Sequence, residues 1–409
     1  MRPPASAISN RWTTDAAEIA PGRGIAQASS APPRRVAQYA TVNALTLLAL
    51  VVGLVGLVGG AELLVKGAAT IASKLGIAPV IIGLTVVAFG TSAPELAVSV
   101  SAAIGGSADV ALGNVVGSNI GNIMLILGAS AIVGGLAVQQ RIIRFDIPLL
   151  VAVSVLTLVL SLDNDIGRFD GIILFLGLVA YLGWLIREAR GERTDVVAEY
   201  TESVETLEGA ALERPVWFNV LLVVAGLAVL VIGSQLLVSA ATDIAESAGV
   251  SDLVIGLTVV AIGTSLPELA TSLLAAIRGQ RDIAVGNVIG SNLFNLMSVL
   301  GLTSIVSGDG IPVSDVSLRL DFPVMLAATV ILVPIVWNGF RIKRWEGFVL
   351  IAFYAAYVAY LVLDASDSSA AGVVGPAALI VAPLVAMTFA VTGYQGWRRH
   401  RRDPHTTIM

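Results

Sequence analysis

Apolar residues fill most of the chain in runs of about 20, and short polar stretches separate these runs. A helix that crosses a bilayer needs about 20 mostly apolar residues. The pattern therefore predicts an all-α integral membrane protein with ten spans in two groups of five, followed by one more apolar run. The predicted spans lie near 43–62, 77–104, 110–136, 147–162, 169–186, 217–240, 251–277, 283–306, 322–338 and 347–363, and the further run lies near 373–396.

Polar segments divide this pattern into six units. The segment before the first span is rich in Ala, Ser, Pro and Arg and lacks an apolar core, which predicts disorder rather than a signal peptide. Alternating Arg and Glu residues between the two groups of spans predict a solvated linker. The predicted units are a disordered tail at 1–41, five spans at 42–186, a cytoplasmic linker at 187–214, five spans at 215–364, an eleventh helix at 371–397 and a basic cytoplasmic tail at 398–409.

Composition excludes several classes of function. Hydrophobic residues make up 56% of the chain and charged residues 13%, whereas a soluble domain carries about 25% charged residues. A soluble enzyme is therefore excluded, and the net charge of −5 argues against nucleic acid as a partner. The chain has no cysteine, and its two histidines are His400 and His405. The spans therefore offer neither thiolate nor imidazole, and we expect no enzymatic activity and no cofactor.

The loop charges predict the orientation in the membrane, because Lys and Arg concentrate in cytoplasmic loops. If the first span runs from outside to inside, 17 of the 24 Lys and Arg residues lie inside. Arg168 and Arg319 lie in outside loops, and five more lie in the N-terminal tail. We therefore expect a multi-pass protein of the cell membrane with its N-terminus outside and, with eleven spans, its C-terminus in the cytoplasm.

The two groups of spans contain an internal repeat. Residues 83–128 and 256–301 align at a constant offset of 173 without a gap, and 30 of the 46 positions are identical. Shared apolar composition does not explain this match, because the polar residues also coincide. Each half has an odd number of spans, so the second copy is predicted to be inverted relative to the first. Inverted repeats with a site near the bilayer midplane are a recurrent transporter architecture.

The repeated motif places one glutamate deep in an apolar span of each half. Glu95 and Glu268 belong to the sequences GTSAPE and GTSLPE. A carboxylate at the centre of a membrane costs about 2.5–3.5 kcal/mol on insertion scales. The motif spans carry no Lys or Arg apart from Arg278 and Arg281 at one loop. A mobile cation or a proton is therefore the expected counter-charge.

Other oxygens accompany the two glutamates. Pro94 and Pro267 remove helical hydrogen bonds to Gly90 and Gly263, and we expect the freed carbonyls to act as ligands. Thr91 and Glu95 share one helix face. Carboxylates, hydroxyls, amides and carbonyls suit calcium, which takes about 6–8 oxygens, or sodium. Proline kinks and bonds within one helix are the structural alternatives. In that alternative Asn114, Asn119, Asn287 and Asn292 simply join helices.

At these residues the sequence resembles the sodium/calcium exchanger family of calcium/cation antiporters. The matching motifs are G-T-S-x-P-E and G-N-V-x-G-S-N-x-x-N in each half, with GAELLV at 60–65 and its counterpart GSQLLV at 233–238. The resemblance covers about 43–363. It implies a ten-helix core of two inverted five-helix repeats, in which the second, third, seventh and eighth helices enclose the ion sites. It also implies that the first and sixth helices slide across this core.

The resemblance further implies a ligand set. Glu95 and Glu268 would bind calcium, and sodium ions would occupy the same pocket. The other ligands that it implies are Thr91, Ser92, Ser118, Asn122, Thr264, Ser265, Ser291 and Asn295, with the backbone carbonyls of Ala88 and Ala261. Glu62, at the end of the first predicted span, is expected to lie at the membrane interface rather than to bind the ion.

Two features depart from the family pattern. Some members carry an aspartate where this chain has Asn122 or Asn295, so the pocket carries a formal charge of −2 from the two glutamates. Calcium would neutralise this charge and three sodium ions would leave +1, which predicts electrogenic exchange without potassium. The eleventh span is the second departure, and nothing in the sequence assigns it a role. The linker is too short for a calcium-sensing domain, which is typical of a prokaryotic exchanger.

Several functions remain open at this point. A calcium/proton antiporter would titrate the same glutamates, and transport of another divalent cation is also compatible with these residues. A cation channel usually surrounds its axis with identical polar rings from several subunits, whereas an internally duplicated chain favours alternating access. A purely structural membrane protein does not explain two unpaired acids. Calcium, sodium and the lipid bilayer are the expected partners, and the oligomeric state is open.

Overall fold

A computed structural model describes residues 44–191, 215–248, 261–308 and 310–365, together with the single positions 391 and 394. The predicted tail at 1–41, most of the linker and almost all of the eleventh span lie outside these ranges. The described helices are α1 (Ala44–Leu75), α2 (Pro79–Thr91), α3 (Ala93–Ile104), α4 (Val110–Gly134), α5 (Ile142–Leu160), α6 (Arg168–Gly191), α7 (Val216–Ser247), α8 (Ala261–Thr264), α9 (Leu266–Ile277), α10 (Arg281–Val306), α11 (Ser317–Trp337) and α12 (Arg344–Ala365).

Most of these helices are long and apolar enough to cross a membrane. Within the described ranges eight helices qualify, and α2 with α3 forms a ninth span if the bent pair is counted as one. The predicted all-α membrane fold is confirmed. The shorter apolar helix α9 follows residues 249–260, which lie outside the description, so the tenth span is described only in part.

Two helix boundaries differ from those predicted. The first helix continues to Leu75 instead of ending near 62, because small residues after Glu62, such as Gly67 and Ala68, are buried by packing. The exposed Lys66 lies on the outer side of this same helix and pairs with Glu62. Helix α6 continues to Gly191, so the first five residues of the predicted linker are helical.

Helices α1 and α7 pack along a seam of glycines. Gly53 lies against Gly233, Gly60 against Gly226, and Gly67 against Asn219, so the two helices run antiparallel. A Cβ atom at Gly60 would lie 2.7 Å from the backbone nitrogen of Leu230, which is too close for any side chain. Small residues let membrane helices approach closely, and this seam follows that rule.

Helices α4 and α10 form the centre of the described structure. In the most apolar 18-residue window, 100% of α10 and 78% of α4 is buried, compared with 17% of α12. The motif G-N-V-x-G-S-N-x-x-N lies on both central helices. Its polar side chains are therefore enclosed by protein rather than by lipid, where an unpaired polar group is unfavourable.

Two short ribbons connect the halves outside the spans. Strand β1 (Leu136–Ala137) pairs antiparallel with β4 (Arg341–Ile342), and β2 (Asp165–Ile166) pairs antiparallel with β3 (Ile311–Pro312). The ribbons join the loop after α4 to the loop before α12, and the loop before α6 to the loop after α10. Each ribbon therefore links one half of the chain to the other.

Candidate ion-binding site

A break in each half positions the glutamates. Between α2 and α3, Ser92 has φ −81° and ψ 2°, and the two helices meet at an angle of 41°. Pro94, the second residue of α3, cannot donate to the preceding turn, which explains why the helix stops here. Ser265 and Pro267 occupy the same places between α8 and α9.

Each glutamate consequently lies in the first turn of a new helix. Glu95 is the third residue of α3 and Glu268 is the third residue of α9. A helix N-terminus carries a partial positive charge of about +0.5, which favours a carboxylate. Both glutamate side chains are completely buried. The break thus supplies the polar environment that a buried carboxylate requires.

Serines from opposite halves hold the two carboxylates. The Ser92 hydroxyl donates to Oε1 of Glu268 over 3.3 Å, and the Ser265 hydroxyl donates to Oε1 of Glu95 over 3.3 Å. The two breaks are therefore linked crosswise, and neither half contains a complete site.

Hydroxyls on the two central helices lie beside these serines. The Oγ atoms of Ser265 and Ser118 are 3.2 Å apart, and Oγ1 of Thr91 is 3.4 Å from Oγ of Ser291. Ser118 lies on α4 and Ser291 on α10. The pattern is again crosswise, because each hydroxyl pair joins one half to the other.

Six polar atoms at this site form what we call the open ligand set. Its members are Oε2 of Glu95, Oε2 of Glu268, and the Oδ1 and Nδ2 atoms of Asn122 and Asn295. Within the part of the chain that the structure describes, these buried atoms have no hydrogen-bond partner. Leaving a buried polar group unpaired costs about 1–3 kcal/mol. Four of the six atoms are oxygens, and the carboxylates supply negative charge, so the set is chemically suited to a hard cation.

Local helix geometry aims the two amides. Asn122 begins a wide π-helical turn in α4 (Asn122–Leu127), and Asn295 begins another in α10 (Asn295–Val299). Such turns are rare and often occur at functional sites. Both amides are completely buried, one turn beyond Ser118 and Ser291 on the same helices.

The structure brings most of the predicted site residues together. Hydrogen bonds or close contacts connect Ser265 with both Glu95 and Ser118, Glu268 with Ser92, and Thr91 with Ser291. Their role as ligands stays a prediction, as does the role of Asn122 and Asn295. Thr264 donates to Oδ1 of Asn114 over 3.3 Å.

The backbone carbonyls at the breaks accept hydrogen bonds within the protein, and their role as ion ligands stays a prediction. The Ala88 carbonyl accepts the backbone N–H of Ser92 over 3.0 Å, and Oγ1 of Thr91 lies 3.4 Å from it. The Gly263 carbonyl, freed by Pro267, accepts a hydrogen bond from Ser234 on α7 over 2.8 Å. A hydroxyl therefore satisfies Gly263, which the sequence did not predict. Ala261 begins α8, and its carbonyl stays a predicted ligand.

Sequence reasoning did not name Ser99 and Ser272, which lie beside two of the asparagines that the structural alternative describes as joining helices. Asn114 contacts Ser99 and the backbone of Glu95, and Asn287 contacts Ser272 and the backbone of Glu268. The signal was available, because Ser99 and Ser272 are identical at the repeat offset, as are the two asparagines.

Glu62 forms a separate charged cluster. Its carboxylate pairs with Lys66 over 3.1 Å and with Arg278 over 2.8 Å. Two cations thus surround its single negative charge, and the expectation that Glu62 is not an ion ligand stays a prediction.

Comparison with known proteins identifies the family. The model of the family "Sodium/calcium exchanger protein" matches residues 45–187 and 218–363. CaxA of Alkalimonas amylolytica is 41% identical over 313 residues, which is 75% of this chain and 96% of CaxA. The sodium/calcium exchanger MaX1 of Methanosarcina acetivorans is 36% identical over 350 residues, covering 78% of this chain and 99% of MaX1. The chain belongs to the sodium/calcium exchanger family.

Solved structures place this family member among exchangers of known fold. The sodium–calcium exchanger NCX_Mj superposes with a TM-score of 0.66 at 30% identity, covering 77% of this chain and 98% of NCX_Mj. The resemblance noted from the motifs is therefore confirmed. The family match contains both glutamates and ends at residue 363, so the predicted eleventh span lies beyond it.

Proposed function

We propose that this exchanger is a secondary antiporter that exchanges sodium for calcium at one site built on Glu95 and Glu268. The observation that carries the proposal is the open ligand set. In this set, two buried carboxylates and two buried amides each have an oxygen without a hydrogen-bond partner among the described residues. The hydroxyls of Thr91, Ser118 and Ser291 add neutral oxygens nearby. Calcium prefers about 6–8 oxygens of these kinds.

The charge of the site supports electrogenic exchange. The described residues contain no cluster of three or more acidic or imidazole side chains, so two carboxylates supply the formal charge of −2. One calcium ion neutralises this charge, whereas three sodium ions leave +1. Exchange of three sodium ions for one calcium ion therefore moves one net charge, and potassium is not required.

Alternating access is the proposed route through the membrane. The glycine seam joins α1 and α7 into a pair, and this pair would slide across the remaining helices to open the site to one face and then the other. The predicted orientation places the N-terminus outside and the loop that contains Arg278 in the cytoplasm. The names of MaX1 and NCX_Mj, both sodium/calcium exchangers, support the choice of ions.

A calcium/proton antiporter, or an antiporter of another divalent cation, is the alternative. Each glutamate has one oxygen that accepts a serine hydroxyl and a second oxygen in the open ligand set. A proton on the second oxygen would replace sodium as the counter-ion. The same two residues would then carry the transport.

The test is calcium uptake into proteoliposomes. Vesicles loaded with sodium would be diluted into sodium-free buffer with labelled calcium, next to vesicles loaded with potassium or with an acid interior. We expect uptake with internal sodium only, accelerated by an inside-positive potential, because three sodium ions leave for each calcium ion that enters. Uptake driven by the acid interior alone would contradict sodium coupling.

Variants assign the uptake to the site. We expect Glu95→Gln and Glu268→Gln each to abolish it, because each removes half of the site's charge. Glu246→Gln, at an exposed position near the end of α7, is the matched control and should transport like wild type. Transport by either site variant at the wild-type rate would overturn the assignment.

A further inference from the structure

Four of the six motif asparagines lie outside the open ligand set, and two of these four make contacts that the other two do not. Asn119 contacts the sulfur of Met325, and Asn292 bonds the Val288 carbonyl of its own helix. Asn114 and Asn287 instead connect a glutamate helix of one half to a threonine of the other half. Their positions are equivalent in the repeat, so the same arrangement occurs twice.

The backbone of each glutamate determines how these two amides are oriented. Nδ2 of Asn114 lies 3.2 Å from the carbonyl oxygen of Glu95 and 3.0 Å from Oγ of Ser99. A carbonyl oxygen can only accept, so the amide end that faces it must be the NH₂ group. Nδ2 of Asn287 has the same neighbours, at 3.5 Å from the Glu268 carbonyl and 2.9 Å from Oγ of Ser272.

The opposite end of each amide is then an acceptor that faces a threonine. Oδ1 of Asn114 is 3.3 Å from Oγ1 of Thr264, and Oδ1 of Asn287 is 3.1 Å from Oγ1 of Thr91. An amide oxygen cannot donate, so both threonine hydroxyls must donate to it. A hydroxyl has one hydrogen and two lone pairs. Once the hydrogen points at the asparagine, the threonine oxygen is oriented as an acceptor.

This orientation competes with a common alternative. A helical Thr often donates to a carbonyl three or four residues earlier. Oγ1 of Thr91 is 3.4 Å from the Ala88 carbonyl, a longer distance than the 3.1 Å to Asn287. The asparagine thus offers the closer acceptor. Without it, the Thr91 hydroxyl would be left with the Ala88 carbonyl of its own helix and Oγ of Ser291, both 3.4 Å away.

We infer that Asn114 and Asn287 are positioning residues that hold Thr264 and Thr91 as cation acceptors, each asparagine acting on the threonine of the opposite half. The inference rests on the proposed function, because it assigns the threonine oxygens to the transported cation. It predicts that the asparagines affect cation affinity and act through the threonines, without touching the ion.

The test is a double-mutant cycle on purified protein. Asn287→Leu, Thr91→Val and the double variant would be compared for the calcium Kd, measured by equilibrium dialysis with labelled calcium, and for the maximal exchange rate in proteoliposomes. We expect each single variant to raise the Kd about tenfold, which corresponds to about 1.4 kcal/mol. The double variant should also raise it about tenfold rather than a hundredfold, because both changes remove one ligand. The maximal rate should change less than threefold.

Matched variants separate positioning from packing. Asn114→Leu with Thr264→Val repeats the cycle in the other half and should give the same result. Asn292→Leu, an equally buried asparagine whose described bond stays within α10, should leave the Kd unchanged. Ser272→Ala removes one anchor of Asn287 without changing the amide, and should raise the Kd two- to threefold even if Asn287→Leu fails to fold.

The outcomes distinguish this inference from the proposed function. Multiplying effects in the double variant, or a wild-type Kd in both Asn287→Leu and Ser272→Ala, would overturn the positioning role while leaving sodium–calcium exchange intact. Wild-type protein that binds calcium but shows no sodium-driven uptake would overturn the proposed exchange, and the cycle on the Kd would still decide the positioning role. Wild-type protein that binds no calcium would overturn both.

Discussion

The two halves of the molecule are alike at the glutamates and different around them. Ser92 and Ser265 make the same contact with the opposite glutamate, at the same distance of 3.3 Å. Outside the motifs the glycine seam keeps this equivalence, but other contacts of α1 and α7 do not. Ser234 of α7 bonds the Gly263 carbonyl, whereas the equivalent position in α1 is Ala61.

A charged contact shows the same difference. Glu62 of α1 pairs with Arg278 in the loop between α9 and α10. The equivalent positions in the other half are Gln235 and Gly105, which cannot form an ion pair. The repeat offset therefore relates the ion motifs closely but does not relate all of the contacts around them.

This comparison teaches which part of the protein must stay symmetric. In the proposed alternating-access mechanism one site opens to two faces, so the ligands gain from equivalent geometry in both halves. The contacts between the α1–α7 pair and the motif helices would then have a different role. Perfectly symmetric contacts would give the outward-facing and inward-facing states equal free energy. A free-energy difference of about 1.4 kcal/mol between these states changes the ratio of their populations tenfold.

The largest expected effect tests whether the glycine seam is equivalent in the two helices. Gly60→Leu in α1 and Gly233→Leu in α7 each place a side chain less than 3 Å from backbone atoms of the other helix. Overpacking of this kind costs about 1–3 kcal/mol. We expect both variants to lower the melting temperature of the purified protein by a similar amount.

Gly59→Leu is the control for this prediction. Outside its own helix, no heavy atom of the described residues lies within 4 Å of a Cβ atom at Gly59. Its melting temperature should match that of wild type. If Gly60→Leu had the same melting temperature as Gly59→Leu, close packing along the seam would not stabilise the protein.

An intermediate effect is expected when the second half is made to resemble the first. Ser234→Ala removes the hydrogen bond to the Gly263 carbonyl and gives α7 the residue that α1 has as Ala61. A buried carbonyl left without its partner costs about 1–3 kcal/mol. We expect a lower melting temperature and slower calcium uptake. Ser239→Ala, at an exposed position on the same helix, should change neither quantity, and equal effects of both variants would remove any special role of the Gly263 contact.

The smallest effect is expected from the ion pair on α1. Arg278→Gly gives the second half the residue that the first half has at Gly105. An exposed ion pair contributes about 0.2–1 kcal/mol, so the ratio of calcium affinities measured at the two faces of oriented vesicles should change by up to about fivefold. Combining Gln235→Glu with Gly105→Arg introduces the equivalent pair on the other side and should shift the ratio in the opposite direction. Shifts in the same direction would show that the pair does not bias the two facing states.

Much of the fold follows from the sequence, because a bilayer imposes one length and one polarity on every span. The apolar runs predicted the helices of both halves, and the motif match predicted the family. The end of α1 was not predictable from hydropathy, since residues 63–75 stay helical through packing of small side chains rather than through contact with lipid. The break at Ser92 followed from Pro94, but hydropathy alone merged α2 and α3 into one span.

The site was predictable to a similar degree. Two acids without positive partners identified Glu95 and Glu268, and the repeat identified the hydroxyls and amides around them. The crosswise bonds were not predictable, because a repeat offset says which residues are equivalent and not which ones touch. Ser234 was missed for a different reason. Its counterpart Ala61 is not polar, so the comparison of the two halves did not identify it as a shared polar position.

The crosswise construction has a consequence for the order of events during synthesis. The ribosome completes α1 to α6 before any residue of α7 exists, so Glu95 enters the membrane ahead of Ser265, its hydrogen-bond donor. Until the second half inserts, Glu95 lacks the hydroxyl of Ser265. Protonation or temporary contact with water would have to take the place of that hydrogen bond. The ribbons β1–β4 and β2–β3 close at the same late stage. The contacts between the halves therefore form only after the second half has been made.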